Sequence, residues 1–126
     1  MRCLLPVFLC LLATPLAAQE RLILPSGQEV ELQEILWDDE AQIGRFRFIA
    51  SWLAEAEGDM SPIHADMLAL CHEFALPVLR ALHPAGKEVV ISFASEPAEF
   101  GAINADIVQF FEGFAVDGQD CIWSQY

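Results

Sequence analysis

Four side chains that can bind soft metal ions recur about every fourth residue in the middle of the chain. On a continuous helix, Met60, His64, Met67 and Cys71 would project within about 60° of one another. Thioether, imidazole and thiolate groups are ligands suited to Cu(I). His64 and Met67 therefore define one hypothesis, a small periplasmic metal-binding protein. The competing interpretation places Met67 and Cys71 in the hydrophobic core, where residues of these types are usually found.

Motifs of known catalytic chemistry are missing from the sequence. It has no G-x-S-x-G elbow, H-E-x-x-H pair or phosphate loop. His72-Glu73 and His83-Pro84 have no nucleophile at a recognisable spacing. We therefore expect neither an enzyme nor a cofactor. A small enzyme is the third hypothesis, because triads are recognised by geometry and can be assembled from distant residues.

Two arginines alternate with phenylalanines along a predicted strand. This pattern puts Arg45 and Arg47 on one face of the strand, with Phe46 and Phe48 on the other. Two guanidinium groups on one face are a possible contact for an acidic ligand, because guanidinium binds carboxylate strongly. The alternative is cross-strand pairing with acidic neighbours. The acidic candidates are Glu29, Glu31 and Glu34.

The overall charge restricts the partners that the protein can have. Nineteen acidic residues face six basic ones, which gives a net charge of -13 at pH 7. Nucleic acids and anionic membranes attract basic surfaces. We therefore expect no nucleic acid as a partner, and the remaining candidates are an envelope protein or a small ligand.

The N-terminal residues have the order of a signal peptide. Arg2 precedes an apolar run, Leu4–Leu12, and small residues then lead to a predicted cleavage site between Ala18 and Gln19. The run is shorter than the roughly 20 residues of a membrane-spanning helix, which favours a signal peptide over a permanent anchor. No segment of the mature chain has the pattern of a membrane span, so we expect no stable membrane insertion after cleavage. Residues 19–126 are enough for a single domain, which we expect in the periplasm or outside the cell.

Cleavage would leave two of the four cysteines in the mature chain. In an oxidising compartment, Cys71 and Cys121 are predicted to form a structural disulfide. Cys71 lies at the edge of the apolar face of a predicted helix, and Cys121 lies in a predicted final strand. The bridge would therefore join the helix to the sheet.

The main helix is predicted from Ser61 to about Leu82, with a kink or fresh turn at Pro77. Its spacing of apolar residues defines one buried face, with charged residues on the other side. The buried face contains Ile63, Met67, Leu70, Phe74 and Val78, and the charged side contains Asp66, Glu73 and Arg80.

Strands are predicted before and after this helix. They cover 22–24, 30–37, 45–50 and 88–94, with a bulge near Gln33-Glu34. Residues 105–116 fit either a helix or a strand, and Asp117-Gly118 favours a hairpin into Cys121-Ile122-Trp123. The predicted fold class is α+β, an antiparallel sheet with one main helix packed on one face, in the order ββαβββ.

Several short motifs give the mature chain a resemblance to a known family. They are Pro25-Ser26-Gly27, Arg45-Phe46-Arg47-Phe48, Asp66-Met67 with Leu70-Cys71, Ala75-Leu76-Pro77, Val89-Val90-Ile91-Ser92, Glu99-Phe100-Gly101, Phe110-Phe111-Glu112 and Cys121-Ile122-Trp123. In this order they resemble a family of short secreted proteins of unknown function from Rhodobacter-like alphaproteobacteria. Some members carry the label acetolactate synthase. Thiamine-diphosphate enzymes of that kind are several-domain cytoplasmic proteins, so the resemblance implies no catalytic residue here.

These observations predict an exported, disulfide-linked small domain. Its most favoured function is that of a non-enzymatic binding or accessory module of the cell envelope. The metal-binding protein and the small enzyme are the second and third hypotheses.

Overall fold

The computed structural model describes residues 20–124, which form a six-stranded sheet with one long helical segment. The sheet curls into a half-barrel. Its strands are β1 (Arg21–Ile23), β2 (Glu29–Asp38), β3 (Ile43–Ile49), β4 (Glu88–Ala94), β5 (Gln109–Asp117) and β6 (Asp120–Ser124). The predicted signal peptide, residues 1–18, and the predicted cleavage site at Ala18 and Gln19 lie outside the described residues.

The strands lie in the sheet in the same order as in the sequence, β1 to β6. Neighbouring strands are antiparallel except β3 and β4, which run parallel with Phe46 opposite Ile91. The predicted antiparallel sheet with the order ββαβββ is therefore wrong: the sheet is mixed, and three strands precede the helix. The helix crosses the sheet face and returns the chain to the end where β3 began, so the next strand is parallel to it.

The main helix covers 22 residues in three consecutive segments. They are α1 (Ser61–Leu70), a π-helical segment (Cys71–Ala75) and α2 (Leu76–Leu82), and a short 3-10 helix (Ser51–Glu55) precedes them. Pro77 has no N–H to donate and would clash with the carbonyl group four residues earlier in a regular α-helix. The wider π turn ends with the N–H of Leu76 bonded to the carbonyl of Cys71, which accommodates the proline without breaking the helix.

The π segment changes which residues of the helix face the sheet. It adds a residue to one turn, so Leu79 is buried where regular spacing predicted Val78. Glycines at 44 and 86 leave room for Leu79, because a Cβ at either position would lie within 2.9 Å of its side chain. The lack of side chains at these two glycines therefore allows α2 to pack closely against the sheet.

Asp66 was predicted on the charged side of the helix and is instead 2% exposed. Its carboxylate accepts hydrogen bonds from the N–H of Ser26 at 3.1 Å and from the Ser26 hydroxyl at 2.5 Å. These bonds attach the turn after β1 to α1. Burial of this carboxylate is tolerated because both of its oxygens have a donor.

Asp59 precedes the helix and accepts two hydrogen bonds at one oxygen. The hydroxyl of Ser61 donates at 2.7 Å and its N–H at 2.9 Å. Both bonds favour the charged carboxylate and hold the pKa of Asp59 below its ordinary value. Asp59 therefore helps to mark the helix start that the sequence placed at Ser61.

The core lies between the helix and one face of the sheet. The central strands contribute alternate residues to this face, as their apolar patterns predict. The fully buried aromatic side chains in this layer are Phe46, Phe48, Phe93 and Phe114. Arg45 and Arg47 consequently lie on the opposite, outer face of the sheet.

Residues 109–124 form the β5–β6 hairpin, which confirms the strand interpretation for residues 109–116, whereas residues 105–108 belong to the preceding loop. Asp117 pairs with Asp120, so Gly118 and Gln119 form the two-residue turn. Gly118 has a φ of +60°, which glycine adopts without steric cost. The predicted bulge in β2 is also present, at the register shift between Leu32 and Glu34.

The predicted disulfide joins Cys71 to Cys121, with 6.2 Å between the Cα atoms. Two hydrogen bonds tie the same hairpin to the helix. The N–H of Cys121 donates to Nε2 of His72 at 3.0 Å, and Arg80 donates to the carbonyl of Gly118 at 2.9 Å. The turn end of the hairpin is thus fixed to the helix at three points, one of them covalent.

Candidate functional site

The outer face of the sheet brings charged and aromatic side chains together across its three central strands. Arg45 lies opposite Val90 of β4, and Arg47 lies opposite Ser92. Ser92 in turn lies opposite Phe111 of β5. Neighbouring strands are about 4.8 Å apart, so β3 and β5 stand about 10 Å apart on either side of β4.

Arg47 is used to hold the structure together. It is 8% exposed and pairs with Glu34 on the neighbouring strand β2. Its second terminal nitrogen donates to the carbonyl of Ala98 at 2.8 Å. Cross-strand pairing, one of the two interpretations of the arginines, therefore describes Arg47.

Arg45 has a different environment although it shares the same face. It makes no ion pair or side-chain hydrogen bond with any residue in the range 20–124. Its guanidinium carbon lies 5.5 Å from the ring centre of Phe100, within the range of a cation–π contact. Burial raises the pKa of Glu88 above its ordinary value, and the charge of Arg45 acts in the opposite direction. Arg45 thus keeps hydrogen-bond donors for a ligand.

The loop between β4 and β5 folds back over this face and brings Phe100 to the arginines. The carbonyl of Ala98 accepts hydrogen bonds from Arg47 and from the side chain of Gln33 at 2.9 Å. At the far end of the loop, the N–H of Val108 donates to the hydroxyl of Ser95 at 3.0 Å. The loop is therefore held at both ends, and Phe100 lies against the two arginines of β3.

These elements enclose a depression of about 280 Å³, here named the Arg45 trough. Val90 and Ser92 form its floor, Arg45 and Arg47 one wall and Phe111 the other wall, and Phe100 lies against the two guanidinium groups. Both aromatic rings remain accessible, with Phe100 61% and Phe111 64% exposed. The trough combines one cation that has no ion-pair partner within residues 20–124, Arg45, with apolar surfaces, an arrangement that suits a ligand with a carboxylate and an apolar part.

The residues of the metal hypothesis lie in different environments. Met67 is completely buried in the core, and Cys71 is in the disulfide. His64 is partly exposed, and its Nδ1 lies 2.6 Å from a carboxylate oxygen of Glu112. Within residues 20–124, no group of three or more His, Cys, Asp or Glu side chains could hold a metal ion. His64 and Met67 lie three residues apart on α1, with Met67 in the core, and their role as metal ligands stays a prediction.

Sequence reasoning missed two features of the sheet faces. The pairing of His64 with Glu112 joins α1 to β5, and the ring of Trp123 lies 5.3 Å from that of His64. The second feature is the position of Phe100 over the arginines. The sequence signal for the second was the aromatic residue Phe100 in the loop between β4 and β5.

The fold and the trough define a small domain in which a disulfide ties one helix to a curved mixed sheet. The chain belongs to the family of unknown function DUF6497, whose profile matches residues 9–126. This confirms the predicted membership of a family of unknown function. No curated protein and no solved structure matches the chain. None of the helices in the described part of the chain has the length and apolar character needed to cross a membrane.

Proposed function

We propose that this protein is an exported, non-enzymatic binding module of the cell envelope whose ligand presents a carboxylate to Arg45. The observation that carries the proposal is the contrast between two arginines on one face. Arg47 is held by Glu34 and Ala98, whereas Arg45 has no such partner within residues 20–124 and borders an open trough. A guanidinium group offers a carboxylate two parallel hydrogen bonds, which gives both strength and orientation.

Two sequence features and one structural feature support export. Residues 1–18 have the charged, apolar and small-residue order of a signal peptide. The resemblance to secreted alphaproteobacterial proteins points the same way. The disulfide of Cys71 with Cys121 suits an oxidising compartment. Mass spectrometry of protein from the envelope fraction should find a chain that begins at Gln19, and a cytoplasmic chain that retains Met1 would contradict export.

The chemistry of the trough supports binding rather than catalysis. Its polar side chains are guanidinium, hydroxyl and amide groups, from Arg45, Arg47, Ser92 and Gln109. None of these is an ordinary general base at neutral pH, and Ser92 has none beside it among the trough residues. Such groups are suited to bind and orient a ligand through hydrogen bonds.

Titration with acetate, followed by nuclear magnetic resonance, tests the proposal with the simplest carboxylate. The backbone amide signals of Val90, Ser92 and Phe111 should shift and approach saturation. Arg45→Gln should weaken binding by at least about tenfold, because a hydrogen bond to a charged group is lost. Arg21→Gln removes the same charge from β1, at the edge of the sheet, and is the matched control.

Equal weakening by the two substitutions would contradict the proposal, since it would show only a general effect of charge. Shifts scattered over the surface, or no saturable shift at all, would also contradict it. Acetate should be recovered chemically unchanged after prolonged incubation with the protein. Its conversion into another compound would contradict the proposal that the protein is not an enzyme.

A further inference from the structure

We infer that the ligand is a small monocarboxylate with an apolar body, aromatic or branched, that lies across β4 in the Arg45 trough. This inference rests on the proposed function and adds the chemical class of the ligand. Three properties of the trough carry it: one available cation, apolar surfaces at a fixed distance from it, and a small volume.

The number of cations in the trough that have no ion-pair partner within residues 20–124 indicates that the ligand has one carboxylate. Arg47 also lines the trough, but its charge is matched by Glu34 and its other nitrogen is bonded to Ala98. Arg45 is left as the guanidinium group able to receive an anion. The chain has a net charge of -13, which repels a ligand with several negative charges more strongly than one with a single charge.

The positions of the apolar side chains indicate where the rest of the ligand lies. Val90 is directly opposite Arg45, and its own neighbour on β5 is Gly113, which has no side chain. A carboxylate at Arg45 would therefore place the attached carbon atoms over Val90. From there they can contact Phe111 and Phe100, two exposed rings that would bury apolar area against the ligand.

The volume limits the size of the apolar body. A depression of about 280 Å³ is slightly smaller than typical ligand pockets, which span about 300–1,000 Å³. The distance of about 10 Å between β3 and β5 is wide enough for a ring or a short branched chain. Ser92 lies in the next row of outward-facing residues along the sheet from Arg45, and Gln109 lies in the row after that. A polar group of the ligand, far from its carboxylate, would therefore also be accommodated.

Calorimetric titration with phenylacetate, acetate and phenylacetamide separates the contribution of the ligand's negative charge to binding from that of its apolar ring. Phenylacetate should bind at least about tenfold more tightly than acetate, because its ring covers apolar surface. Phenylacetamide has the same shape without the charge and should bind at least about tenfold more weakly than phenylacetate. Arg45→Lys keeps the charge and should restore part of the affinity that Arg45→Gln loses.

Phe111→Ala tests the apolar wall separately. Phe111 is exposed, so the substitution should leave the protein folded, and it should reduce the preference for phenylacetate over acetate by several-fold. Ile122→Ala removes another exposed apolar side chain from the outer face, on β6, and should leave that preference unchanged.

The outcomes distinguish this inference from the proposed function. If acetate and phenylacetate bind equally well and both depend on Arg45, the inference is wrong and the proposed function stands. If neither acid binds, both are wrong. A preference for phenylacetate that survives Phe111→Ala, or binding of phenylacetamide as tight as that of phenylacetate, would also overturn the inference.

Discussion

Removal of the Cys71–Cys121 disulfide should destabilise the protein strongly while leaving it able to fold. The cysteines are 50 residues apart in sequence, and closing a loop of this size is worth about 4 kcal/mol in the chain-entropy model. For a domain of this length, that loss corresponds to a fall in Tm of roughly 15 °C or more. The bonds from Arg80 to Gly118 and from Cys121 to His72 do not require the bridge, so the hairpin should stay attached.

Thermal unfolding followed by circular dichroism measures this effect. Cys71→Ala, Cys121→Ala and the double variant should have similar Tm values, because each of them removes the same bond. Treatment of the unchanged protein with dithiothreitol is the matched control, since it opens the bridge without altering a buried side chain. A fall of less than about 3 °C in the reduced protein would refute the reasoning.

Three further predictions concern backbone conformation, a buried carboxylate and pH. Gly118→Val should lower the free energy of unfolding by about 1 kcal/mol or more, because valine resists the φ of +60°. Ser26→Ala should lower it by about 1–3 kcal/mol, because one oxygen of the buried Asp66 loses its donor. Burial raises the pKa of Glu88 in the folded protein, so its contribution to stability is present at low pH and is lost as pH rises through that pKa. Glu88→Gln should therefore gain stability relative to the unchanged protein as pH rises from about 4 to about 7. Denaturant titration measures all three.

Two of these predictions have a control variant. Gln119→Val places the same side chain at the second position of the turn, where φ is not positive, and should be tolerated better than Gly118→Val. Ser51→Ala removes an exposed hydroxyl and should be close to neutral. Equal effects at 118 and 119, a neutral Ser26→Ala, or a Glu88→Gln difference that does not change with pH would each contradict the corresponding explanation.

The parts of the fold that depend on neighbouring residues could be predicted from the sequence. Gly118 marks the hairpin because a two-residue turn needs a positive φ, and glycine provides it. Successive side chains of a strand point to opposite faces of the sheet, so Phe46 lies on the other face from Arg45 and Arg47 regardless of which strands pair with β3. The bridge of Cys71 with Cys121 followed from having one pair of cysteines after the predicted cleavage.

Features that depend on distant pairing could not be predicted. Whether β4 runs parallel or antiparallel to β3 depends on how the long connection crosses the sheet, which local patterns do not encode. The buried position of Asp66 depends on Ser26, 40 residues away in the sequence. Phe100 covers Arg45 because Arg47 and Gln33 hold Ala98, and no spacing in the sequence indicates those contacts.

The side-chain resonance of Arg45 provides the most direct test of the proposed carboxylate site. The Nε–H signal reports on the guanidinium group itself, and Arg21 provides a reference signal from the edge of the sheet. During titration with acetate, the Arg45 signal should move downfield and saturate while the Arg21 signal stays in place. An Arg45 signal that does not move, or that moves only in parallel with the Arg21 signal, would contradict the account.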